Sequence, residues 1–138
     1  MTLVVMGISL TSNYFMKHAH KHDCEKNYYG EFLCSAAPDF LWYCVQDVGS
    51  YQGQVFGIAT YKGKVGIYED YYGSCSGCGA WGEGGEPTNQ EEIISKCTFF
   101  TDESEANKYV KKLVEDHYEK PEEPEFSERL HEAFQDLN

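Results

Sequence analysis

The sequence predicts an α+β domain: a small antiparallel sheet built on a central hairpin, with C-terminal helices packed on it. Three observations carry that expectation. Gln54–Tyr61 and Lys64–Tyr71 are two β-prone runs separated only by Lys62-Gly63, and a glycine there supplies the positive φ a tight turn demands. Phe40-Leu41-Trp42-Tyr43-Cys44-Val45 is a further aromatic-rich apolar run of strand character. After Thr88 the pattern changes to helix starts followed by apolar residues at helical spacing.

Taken in order, Thr2–Leu10 is apolar and rich in β-branched residues, and reads as a buried strand. Thr11–His22 reads as a helix opened by a Thr or Ser cap. Asp23–Ala37 is mixed and turn-rich, and Pro38 opens the strand that runs from Asp39 to Val48. In the hairpin, Val55, Gly57, Ala59 and Tyr61 share one side, and Phe56, Ile58 and Thr60 the other. A glycine-rich loop from Gly73 to Gly85 follows.

Thr88-Asn89-Gln90-Glu91 has the form of a capping box. Cys97–Phe100 reads as a short strand. Thr101 or Asp102 caps the next helix, whose stripe is Ala106, Tyr109, Val110, Leu113 and Val114. Pro121 and Pro124, set among Glu122, Glu123 and Glu125, make a linker that cannot be helical. Ser127 caps a last helix with Leu130, Ala133, Phe134 and Leu137 on one face. The division expected is a single α+β domain over residues 1–120, then an acidic linker and C-terminal helix over 121–138.

Length and composition permit a packed core without metals or disulfides: 138 residues, 11 Tyr and 8 Phe. The formal net charge of −12 opposes direct binding to nucleic-acid phosphates or to an anionic membrane surface. It allows contact with the basic groove of a nucleic-acid-binding protein, and it also serves simple solubility. The acidity is uneven. Residues 1–50 carry 5 acids against 3 bases, 51–100 carry 6 against 3, and 101–138 carry 12 against 5. Met1–Leu10 has no basic start and no clear cleavage pattern, and no apolar stretch reaches membrane-spanning length. The expectation is a cytoplasmic protein whose six cysteines are free thiols or metal ligands.

The sharpest chemical feature is Tyr72-Gly73-Ser74-Cys75-Ser76-Gly77-Cys78. Two thiolates spaced as Cys75 and Cys78 can grip one zinc ion from a tight turn. That is half a site. The residues available to complete it are His18, His20, His22 and Cys24, with Cys97 or Cys44; on a helix, His18 and His22 would face one side. The histidines also read as a solvated His/Lys stretch, and the cysteines as small residues of a turn. A dithiol redox enzyme would need a helix N-terminus to activate the first thiol, and glycine-rich loop stands there instead. A thiol nucleophile at Cys75 would need a base that nothing in the sequence singles out.

The Tyr51-Gln52-Gly53 run, the hairpin, the Tyr72–Cys78 segment and Phe99-Phe100-Thr101-Asp102-Glu103-Ser104-Glu105-Ala106 together resemble a widespread group of small uncharacterised proteins of phages, prophages and bacteria. The resemblance spans residues 51–110. That group often has an acidic residue after the second cysteine, where this chain has Gly79. The resemblance implies an accessory protein of a virus or mobile element that binds and blocks a host protein, host defence systems such as CRISPR included. The functional expectation is therefore an acidic inhibitor that contacts a basic host surface through Glu122, Glu123 and Glu125. A zinc-stabilised module and a thiol enzyme stand as the alternatives.

Overall fold

A computed structural model describes residues 20–22, 28–49, 53–72 and 89–137. Four strands form one antiparallel meander in sequence order: β1 (Leu41–Gly49), β2 (Gly53–Tyr61), β3 (Lys64–Tyr72) and β4 (Cys97–Phe100). Four helices complete it: α1 (Tyr28–Ala36), α2 (Gln90–Ser95), α3 (Glu103–Asp116) and α4 (Glu125–Leu137). The fold is α+β, with the C-terminal helices packed on the sheet, as the sequence predicts.

The hairpin forms where Lys62-Gly63 places it. Tyr61 pairs with Lys64, and both turn residues have positive φ, 53° and 76°, the mirror-image turn whose twist matches that of the strands. Alternation then divides the side chains between two faces. Phe56, Ile58, Val65 and Ile67 point to a first face, covered by α3 and α4; Val55, Ala59 and Tyr68 point to a second, covered by α1 and α2. Because both faces are buried, β2 is apolar on both sides rather than polar on one.

β1 carries an irregularity. Its register with β2 shifts between Trp42 and Cys44, so Tyr43 is the extra residue of a bulge. Trp42 belongs to the second face, whereas Tyr43 and Cys44 both belong to the first. The bulge thus aims the Tyr43 phenol at α4.

On the first face, α3 buries Ala106, Val110 and Leu113, and α4 buries Phe126, Leu130, Ala133 and Phe134. Each large apolar side chain removed from water is worth about 1.5–3 kcal/mol. Such a stripe at i, i+4, i+7 and i+8 suffices to dock α4 across β1, β2 and β3. The 121–124 stretch is tied down as well. Pro121 is buried, and the Gln46 amide makes two bonds to Glu122, accepting its N–H at 2.6 Å and donating to its carbonyl at 3.2 Å.

Several local expectations shift. Residues 28–36, expected to be turn-rich, form α1; Gly30 within it is a poor helix former, so burial of Leu33 and Cys34 supplies the stability. The cap of α2 is Asn89, one residue beyond the start of the predicted box, with its side chain accepting from Glu92 N–H at 2.9 Å. Asp102 caps α3. α4 begins at Glu125, inside the stretch expected to be non-helical linker, because Pro124 ahead of it is compatible with a helix start; the expected cap, Ser127, lies inside the helix, and the carboxylate of Glu123 accepts its N–H at 3.1 Å. His22 sits in a bend rather than at the end of a helix, and His20 makes a single parallel bridge to Trp42. The predicted strand Thr2–Leu10, residues 11–19, the glycine-rich loop and Thr88 lie outside the described residues.

Two glycines separate backbone from packing requirements. At Gly63 an added Cβ meets nothing within 4 Å, so Gly63→Ala should cost only the left-handed backbone penalty, about 1–2 kcal/mol. At Gly57 a Cβ would stand 2.7 Å from Cζ3 of Trp42, so Gly57→Ala should cost about 1–3 kcal/mol through overpacking. Denaturant unfolding in a Trp42→Phe background tells them apart. The Gly57→Ala cost should shrink there and the Gly63→Ala cost should not.

Candidate functional site

The acidic C-terminal part converges on the entry to α4. Glu122, Glu123 and Glu125 are all exposed, and Glu128 follows one turn on. Glu123 is engaged: its two carboxylate oxygens accept from the Ser127 hydroxyl at 2.8 and 2.7 Å. Among the described residues, Glu122, Glu125 and Glu128 face no cation at ion-pair distance. Carboxylates are favoured here by the partial positive charge of the α4 N-terminus, so one helix end sustains the concentration of charge. The chain bearing it is fixed upstream by Gln46 and Pro121 and downstream by Phe126. The result is a charged ridge on a rigid frame.

The opposite end of α4 holds a second polar cluster. The Tyr43 hydroxyl donates to Asp136 at 2.5 Å, and Lys21 Nζ lies 2.9 Å from the same carboxylate oxygen. These two contacts hold the Asp136 carboxyl below its ordinary value. Burial, then the hydrogen bond to Asp136, pushes the Tyr43 phenol well above its ordinary value. Beside them His22 Nε2 is 2.7 Å from Glu132, which Arg129 also approaches at 3.3 Å. The backbone of Lys21 donates to the Trp42 carbonyl at 2.8 Å. Residues 20–22 are therefore latched to β1 and to α4 at once.

A third cluster is buried under the second face. Asp70 accepts from the Tyr68 hydroxyl at 2.8 Å and from the Tyr71 N–H at 2.9 Å, with Lys96 Nζ 3.8 Å away. Burial raises its carboxyl above the ordinary value despite those three favourable partners. Both of its carboxylate oxygens are engaged within the chain, and the cluster ties the end of β3 to the α2–β4 junction.

The sequence-predicted metal set is not assembled in what is described. Cys75, Cys78, His18 and Cys24 lie outside the described residues. His22 faces Glu132, and the His20 ring nitrogen Nδ1 is 3.0 Å from the His22 carbonyl. Cys44 is buried on the first face and Cys97 half-buried at the start of β4. Burial, with Glu69 nearby, pushes the Cys97 thiol up to about 12, which disfavours the thiolate that zinc or a nucleophile would need. Among the described residues no three His, Cys, Asp or Glu side chains stand close enough to hold a metal ion. No helix among them is long and apolar enough to cross a membrane.

The Lys21–Tyr43–Asp136 and His22–Glu132 contacts join residues far apart in the chain, and no local spacing announces them. Comparison with protein-family models, with curated proteins and with solved structures finds no match.

Two predictions test these clusters. For Asp70 the folded carboxyl holds its proton more tightly than the unfolded one. Its contribution to stability is present below the ordinary carboxylate range and is lost as pH rises through the raised value. Asp70→Asn should therefore be more stable than the wild type at pH 7, with the gain fading toward pH ~3.5. Denaturant midpoints across that range check it, and a difference independent of pH would refute the burial argument. For the latch, Tyr43→Phe should speed amide exchange over the last turn of α4 and at residues 21–22 while leaving α3 unchanged.

Proposed function

We propose that this chain is a small, non-catalytic binding protein that blocks a host protein by placing its acidic α4 entry against a basic surface of that partner. The setting that fits is the cytoplasm of a cell harbouring a virus or mobile element, with a nucleic-acid-handling or defence protein as the target. One observation carries the reading: Glu122, Glu125 and Glu128 are exposed and, among the described residues, face no cation, on a backbone pinned by Gln46 and Phe126.

The physics of such a surface favours association over chemistry. Unpaired carboxylates steer a basic partner and raise its encounter rate, and the effect is screened over about 10 Å at 0.1 M salt. A pre-fixed backbone spares the ordering cost that a flexible acidic tail would incur on binding. The Glu123–Ser127 contact removes one carboxylate from the exposed set, so Glu122 and Glu125 are the stronger anchors of the three predicted from sequence.

The test is capture of a partner from host lysate at low and high salt, followed by affinity measurement with a variant carrying Glu122→Gln, Glu123→Gln and Glu125→Gln. Glutamine keeps an acceptor oxygen for Ser127, so α4 should remain docked. Affinity should fall roughly tenfold, chiefly through slower association, and the residual binding should depend less on salt. Affinity indifferent both to salt and to these substitutions would overturn the proposal.

A further inference from the structure

We draw no further inference here: the strongest candidate, the exposed Tyr118 among Glu115, Asp116 and Glu119 in the turn between α3 and α4, adjoins the acidic surface already described, and nothing in the structure shows what covers it.

Discussion

The register of the β2–β3 hairpin is the constraint on which the other contacts depend. In a sheet with one wet face, hydrophobicity alone fixes register, because a slip of one residue turns the apolar set toward water. Here both faces are buried, so Phe56 and Ile58 on one side and Val55 and Ala59 on the other are almost equally apolar. Turn chemistry and shape must discriminate instead. The Lys62-Gly63 turn sets the pairing, and Gly57 opposes Tyr68 in the ladder while the Trp42 ring lies over it. No larger side chain fits beneath that ring. The buried Trp42 indole N–H has no hydrogen-bond partner among the described residues, and the indole packs against Phe40 and Tyr68.

With the hairpin in register, β1 meets β2 across a bulge, and the bulge decides what α4 can reach. An unbulged strand would alternate strictly, leaving only one of Tyr43 and Cys44 on the first face. The extra residue gives both to that face while Trp42 keeps its place on the other. Gln46, further along the same strand, then satisfies both backbone groups of Glu122. The acidic stretch is thus ordered by a neutral amide that belongs to the sheet. At Glu122 this separates the charge from its support, because both bonds from Gln46 go to backbone groups; only the Glu123 carboxylate has a part in the frame, through Ser127.

The hairpin, the aromatic strand, β4 and the α3 stripe were legible because each is a local pattern: a turn dipeptide, a run of alternating residues, a cap followed by apolar residues at helical spacing. What escaped has a common physical cause. Helix α1 contains Gly30 and has weak local preference, and it exists because the second face needs a cover for Trp42 and Val55. The cap at Glu123 escaped because a glutamate four residues ahead of a serine does not have the local form of a cap. Of the site residues, Glu122, Glu123 and Glu125 were marked by the uneven charge of the chain, and all three are exposed. The contacts of Lys21 and His22 with Asp136 and Glu132 arise only when strand and helix are brought together.

The charge on α4 is at odds with its own dipole at one end and in accord with it at the other. Glu125 and Glu128 in the first turn suit the positive N-terminus, whereas Asp136 in the last turn meets the negative one, and no basic residue lies in that turn to relieve it. Lys21 supplies the missing cation from more than a hundred residues away, and the Tyr43 hydroxyl supplies a hydrogen bond. The Asp136 carboxyl is held below its ordinary value, first by the Tyr43 hydrogen bond and then by Lys21, against the opposing effect of desolvation. Electrostatic relief at the C-terminal end of α4 is therefore obtained by holding residues 20–22 against the sheet. At the N-terminal end the dipole favours the carboxylates, and among the described residues Glu122, Glu125 and Glu128 have no cation of their own. A helix acidic at both ends thus has Lys21 committed to one end and, among the described residues, carboxylates that face no cation at the other, which is the end the proposed basic partner would occupy.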